Sequence, residues 1–398
     1  MFSSLKLRDF RLYWIGMFIS LIGTWIQIVA QSWLVFDLTH SAFLLGVVGF
    51  LSSIPIFCLS LFAGVAADRI NKKTILLFTQ NIFMILAFIL AVLTQFKIIT
   101  TWQIMLIALL NGTVMAFDSP ARQAVVVEMV GKKHLLNGIA LNSAAFNSAR
   151  MIGPALAGIL IAAVGMSGCF YINGISFLAV IIALAVIRID SLPRKETKTR
   201  VIHELMEGLS FIRQNRIILI MVVIVGITSL FGISYVILMP VFADRVLRVG
   251  AKGLGMLMSS AGVGALIAAL FLAGLGDFKH KGRLLMVSLM IFSVSLVAFS
   301  VSRTYPLSLL ALLFVGFSSV ASISLINTIL QTLVHDRFRG RIMSVFMFTF
   351  AGVMPFGNLF AGALAQAWGV SWAVAIGSII CGASFLVINI RYPEIRKI

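Results

Sequence analysis

Gly64-Val65-Ala66-Ala67-Asp68-Arg69-Ile70-Asn71-Lys72-Lys73 sits between two long apolar runs and ends in one acid and three cations. A related stretch, Gly274-Leu275-Gly276-Asp277-Phe278-Lys279-His280-Lys281-Gly282-Arg283, sits between two further apolar runs later in the chain. In both, a glycine precedes an aspartate and cations follow. A second correspondence supports the first. Asn142-Ser143 begins twelve residues before Pro154, and Met343-Ser344 begins twelve residues before Pro355. Two correspondences at matching places favour an internal duplication.

The flanking sequence is apolar in runs of about 20 residues, the length a helix needs to cross the hydrocarbon layer. Twelve such runs occur, at 12–36, 43–66, 74–96, 102–121, 138–164, 168–187, 217–243, 253–276, 284–302, 306–331, 342–366 and 370–390. Barrel strands would be near ten residues and alternate in polarity. The composition agrees: 61% of the 398 residues are hydrophobic and 11% charged, against about 25% charged in a soluble domain. The mean hydropathy is +1.09. A soluble chain could not hide so much apolar surface from water. Met1 to Arg11 carries Lys6, Arg8 and Arg11 ahead of the first run, as a signal peptide does. That run is longer than a signal core and lacks a small-residue cleavage site, so it is read as a retained span.

The net charge of +18 would suggest a nucleic-acid partner in a soluble protein. Here the cations sit in short loops, and membrane topology accounts for them. With the N-terminus in the cytoplasm, twenty-five of the 31 Lys and Arg fall in cytoplasmic segments, five outside, and Arg150 within a span. Both termini are therefore expected to be cytoplasmic. The longest polar stretch, Arg188 to Arg216, contains Pro193 and a surface helix expected at Val201 to Arg213. The chain is thus expected to divide into an N-terminal half (1–187), a cytoplasmic linker (188–216) and a C-terminal half (217–398). Cys58, Cys169 and Cys381 fall in different spans without disulfide or metal spacing. His40, His134, His203, His280 and His335 are assigned to loops, and no metal site or cofactor is expected.

Polar residues recur on single helical faces. In the first span they are Ser20, Thr24, Gln27 and Gln31; in the fourth, Asn111 with Met115, Asp118 and Arg122; in the tenth, Ser324, Asn327 and Gln331. Polar side chains facing lipid are costly, so these stripes face water or protein. They either line a substrate cavity or join helices by hydrogen bonds. Gly153, Pro154 and Gly158 in span five, and Pro355 in span eleven, are candidate hinges. Proline removes a backbone hydrogen bond, and glycine lets a neighbour approach closely.

Arg150 lies near the bilayer midplane if span five starts near Gly138, and it stays charged there. Ser143, Asn147 and Pro154 share its face. Four roles stay open: pairing with Asp118, capping carbonyls freed by Pro154, regulating protonation of Asp118, or meeting an anionic substrate.

On these residues the chain resembles the major facilitator superfamily. Gly64 to Lys73 matches that family's loop signature at every defined position; in the second copy Phe278 replaces the arginine after the aspartate. Ala149 to Gly158 resembles the proline–glycine motif of the antiporter branch, with alanine for two of its glycines. Asp118-Ser-Pro-Ala-Arg122-Gln123 and Trp33 to Gly46 look like the branch containing the enterobactin exporter and the macrolide efflux proteins. The resemblance covers nearly the whole chain.

It implies an all-α integral membrane fold of twelve helices in two pseudo-symmetric six-helix bundles, rocking about a central cavity. Spans one, four, seven and ten line that cavity in the resembled fold. The cavity candidates are then Thr24, Gln27, Gln31, Asn111, Met115, Asp118, Asn147, Arg150, Tyr235 and Asn327. The gating candidates are Gly64, Asp68, Arg69, Lys73, Arg122, Glu128 and Asp277.

The implied function is proton-coupled export of a siderophore or drug-like molecule by a monomer in a bacterial inner membrane. Import by the same fold is the alternative. An embedded enzyme would need a clustered nucleophile, base or metal set, and none is visible. No phosphate-cradling loop supports ATP-driven transport.

Overall fold

The computed structural model describes residues 3–187, 201–276 and 278–398; the side chains of Leu61, Val65, Ala67, Asp68, Lys132, Lys133, residues 201–205, 208 and 209, Asp336 and Arg337 lie outside that description. Among the described residues every regular element is helical. A membrane permits this because a helix satisfies its backbone groups internally.

The spanning helices are α1 (Arg8–Thr39), α2 (Ala42–Arg69), α3 (Lys72–Gln95), α4 (Thr101–Gly131), α5 (134–164), α6 (166–186), α7 (Arg216–Val246), α8 (Gly250–Leu275), α9 (Lys281–Val301), α10 (Tyr305–Leu333), α11 (Asp336–Trp368) and α12 (Val370–Arg391). The shortest have 21 residues, about 31 Å at 1.5 Å per residue, enough to span the hydrocarbon. Helical backbone runs unbroken from Thr101 to Val186 except at Gly131 (φ 62°) and Gly165 (φ 73°). Only glycine enters that region at no cost. The two breaks divide the run into α4, α5 and α6, which makes twelve crossings, as the hydropathy predicts.

Local chemistry sets several ends. Asn71, inside the motif, caps α3 by accepting from the amides of Lys73 (2.9 Å) and Thr74 (3.4 Å). Thr100 and Gln103 form a capping box at the start of α4. Three expectations need correction. Helix α4 continues ten residues past the expected end at 121, so it carries Glu128 as well as Arg122. Its backbone stays satisfied beyond the hydrocarbon, and no break arrives before Gly131. His134 and His203 also lie on helices. Finally, α7 is irregular, because π turns at Thr228–Gly232 and Phe242–Val246 flank a 3-10 turn at Ile233–Leu238.

The chain forms two compact units. The first comprises Met1–His40, Leu51–Glu196 and Gly250–Ser259; the second comprises Ser41–Phe50, Thr197–Val249 and Ser260–Ile398. Nine residues of α2 thus pack in the second unit and ten of α8 in the first. The core of the first unit joins α1, α3, α4 and α6 through Phe10, Tyr13, Met17, Leu76, Val125 and Leu184. In the second, Phe299 packs on Phe242 (4.5 Å between rings) and Tyr235 (6.4 Å). The surface helix appears at Val201–Gln214. Its Phe211 stacks on Phe338 at 4.5 Å, and its Glu207 pairs with Arg341 of α11.

Candidate functional site

Positions 139, 143, 146, 150, 153, 154 and 157 share one face of α5, and its exposure changes sharply along the helix. Ile139 (51%) and Phe146 (47%) are exposed, as is Ser143; Arg150 is half-buried; Gly153, Pro154 and Ala157 are buried. Packing causes the change. A Cβ at Gly153 would collide with Trp25 of α1, and one at Gly255 of α8 would collide with the Pro154 carbonyl. A Cβ at Gly158 would lie 2.9 Å from the Lys252 carbonyl. Ser259 donates its hydroxyl to the Met151 carbonyl at 2.6 Å. Arg150 therefore stands where an open face ends. It lies about 24 Å from one end of α5 and about 21 Å from the other, so it is at mid-span.

Arg150 makes no hydrogen bond or ion pair with any described residue. It caps no carbonyl, and it is not the partner of Asp118. Asn147, on the same face, is buried and donates to the Ser143 carbonyl at 2.9 Å.

Beside this face α1 carries an aromatic row. Trp14 stacks on Phe18 at 5.5 Å and donates its indole N–H to the Leu141 carbonyl of α5 at 2.9 Å. Trp25 meets Phe146 edge-on at 6.0 Å. The aromatic spacing of this row is as regular in the sequence as the polar stripe of α1. The polar stripe looks elsewhere. Thr24 donates to the Ser20 carbonyl (2.9 Å), and Gln27 accepts from Asn173 of α6 at 2.6 Å. Ser176 in turn donates to Asn173 Oδ1 at 3.2 Å. Gln27 is thus held in an interhelical bond, and Gln31 is half-buried farther along.

Asp118 is fully buried. Its Oδ1 accepts from Thr79 (2.8 Å) and Gln80 (2.7 Å) of α3. Its Oδ2 accepts from Arg122 Nε at 2.9 Å and pairs with a terminal guanidinium nitrogen. That fork neutralises both charges inside the bundle. Met17 contacts the guanidinium at 3.2 Å. The Tyr13 hydroxyl and Gln80 Oε1, buried nearby, have no hydrogen-bond partner among the described residues. The pairing joins residues four apart on one helix, a spacing already plain in the sequence. Thr79 and Gln80 carried no such signal.

Around the motif, Lys72 pairs with Glu128 at 2.8 Å and ties α3 to the end of α4. Lys73 Nζ donates to the carbonyls of Ile187 (2.7 Å) and Ala185 (3.3 Å), so a cation caps the C-terminus of α6. Arg69 is exposed, and the space beside Gly64 is open. The Asp68 side chain and the whole of Asp277 lie outside the described residues. Lys73, Arg122 and Glu128 each engage a different partner.

The other candidates are dispersed. Asn111 is half-buried. Met115 packs against the Phe83–Phe177 cluster, and Tyr235 is buried on Phe299. Asn327 accepts from Gln331 at 2.8 Å. Pro355 is buried in α11, one turn from a contact resembling that of α5 and α8. There a Cβ at Gly46 of α2 would lie 2.7 Å from the Asn358 carbonyl, and one at Gly362 would lie 2.8 Å from Gly46 Cα.

A family model described as transmembrane secretion effector matches residues 1–397. The staphyloferrin A transporter of Staphylococcus aureus is 26% identical over 356 residues, covering 89% of this chain and 88% of that protein. The multidrug efflux pump Tap of Mycolicibacterium fortuitum is 23% identical, covering 94% and 93%. A solved bacterial homolog of the human lysosomal transporter Spinster, inward-facing and unoccupied, aligns with a TM-score of 0.76 at 13% identity, covering 98% of each chain. At that identity the likeness concerns the fold alone.

Proposed function

The chain belongs to the transmembrane secretion effector family of the major facilitator superfamily, and from that membership we propose that it is a secondary-active exporter of amphipathic small molecules. It is a multi-pass membrane transporter, not an enzyme. Siderophore and drug-like cargo are the two classes named for its relatives, and the proposal takes its cargo from that range.

The observation that carries the proposal is the face of α5. It is open up to Arg150 and closed beyond it by glycine-lined contacts with α1 and α8. Such a site is reachable from one end only. Contacts made by backbone against glycine interlock few side chains, so they can part and reform. The similar contact of α2 with α11 fits the same use. Alternating access then needs only two states in which different contacts are made.

Residues 1–187 and 217–398 would act as the two halves, joined by 188–216. Proton coupling is part of the proposal, with Asp118, the fully buried carboxylate among the described residues, as the acid concerned. Asp68, Arg69, Lys73, Arg122, Glu128 and Asp277 would bias the gate. The cation bias supports a topology with both termini on the cytoplasmic side of a bacterial inner membrane.

The test is accumulation of a fluorescent amphipathic anion, carboxyfluorescein loaded as its diacetate, in cells with and without the gene. An exporter lowers steady-state dye, and an uncoupler restores it. Higher dye in expressing cells would establish import instead.

A further inference from the structure

An arginine at mid-span keeps its charge, and facing it to acyl chains is costly. The packing of α5 argues against that placement for Arg150. The exposed apolar residues Leu156 and Ile159 lie about 120–180° around the helix from it. Its own face carries Ser143 and Asn147 and ends at the contacts with Trp25, Gly255 and Ser259. Arg150 is half-buried beside the open face and without a partner among the described residues. The structural ion pair of this unit is already complete, because Asp118 is matched by Arg122. The charge on Arg150 is therefore left for something that arrives. Beside it stands an apolar wall built from rings: Trp25 against Phe146, then Phe18 against Trp14.

We propose that Arg150 and this aromatic wall form the binding site for an organic anion that carries a planar ring. The guanidinium forks onto a carboxylate or an ionised phenol, and the ring lies against Trp25 and Phe146. The proposal rests on the transporter reading and names the substrate class. It also gives Gly153 a role: the close approach of α5 to α1 brings Trp25 within reach of the same ligand.

The probes are 2-naphthoate and its methyl ester, titrated against the full-length protein in lipid nanodiscs by quenching of tryptophan fluorescence. The acid is expected to bind about tenfold more tightly than the ester, the size of one charge-assisted contact. Arg150→Ala should bring the two to equal affinity by weakening only the acid. Arg150→Lys keeps charge without the fork and should fall between. It serves as the informative variant if Arg150→Ala does not fold.

Equal affinity of acid and ester for the wild type, or an acid preference unchanged in both variants, overturns the proposal. If carboxyfluorescein efflux persists in that case, the exporter reading survives. An intact acid preference without efflux of any dye leaves the site standing and removes the exporter reading.

Discussion

Gly158→Ala tests whether the α5–α8 contact is a gate. The new Cβ would lie 2.9 Å from the Lys252 carbonyl, 3.0 Å from Lys252 Cα and 3.1 Å from the Ala251 carbonyl. All three are backbone atoms, so no side chain can rotate away. Restoring ordinary contact at 3.4 Å requires α8 to retreat by about half an ångström. Overpacking of this kind costs about 1–2 kcal/mol, toward the lower end of its usual range. If the contact exists in only one state, that cost is a shift of about 5–30-fold against the state. Spin labels at the exposed positions Ala162 and Met256 would report the α5–α8 separation by pulsed electron resonance. The wild type should give a dominant short distance, and Gly158→Ala should add a longer population. Gly274→Ala, also on α8 but with nothing within 4 Å, is the control and should change nothing. A folded Gly158→Ala protein with an unchanged distance distribution would refute the gate.

Asp118→Asn leaves the Arg122 guanidinium inside the bundle without its counter-charge, a loss of about 3–5 kcal/mol. Its thermal unfolding should move well below the wild type, with Asp118→Asn/Arg122→Met recovering most of the difference; no change in the single mutant would mean that the pair is dispensable. Lys73→Met removes the cation that caps the carbonyls of Ile187 and Ala185 at the end of α6 and should cost about 0.5–1 kcal/mol, read as a small drop in unfolding temperature. Asp68→Asn should leave the protein folded but slow flux, by the 1–3 kcal/mol typical of such couplings; normal flux in a well-expressed mutant would sink the gating role.

The twelve crossings were legible because lipid imposes one requirement, length without charge, that twelve runs satisfy. The ends of α4 and α7 were less legible. Charge marks where hydrocarbon stops, whereas helix continues until a residue such as Gly131 breaks it. The π turns of α7 depend on packing that no local pattern announces: Gly232 on Phe292, and the Leu230 carbonyl against Gly357.

Within the site, sequence placed Arg150 at mid-span and Gly153, Pro154 and Gly158 on its helix. Which face of α1 meets α5 could not be read. The stripe of Thr24 and Gln27 and the row of Trp14, Phe18 and Trp25 have equally good periodicity. Only packing assigns the first to α6 and the second to α5. The partner of Asp118 was ambiguous for a related reason. Arg122 was near in sequence and Arg150 near in depth, and the i,i+4 geometry favoured the former.

The most direct test is flux of carboxyfluorescein, a planar organic anion, by purified protein in sealed liposomes, with and without an imposed pH gradient. With proton-coupled export the gradient drives dye across the membrane beyond equal concentrations, and a protonophore abolishes this. Equilibration of dye that stops at equal concentrations, indifferent to the gradient, would contradict it.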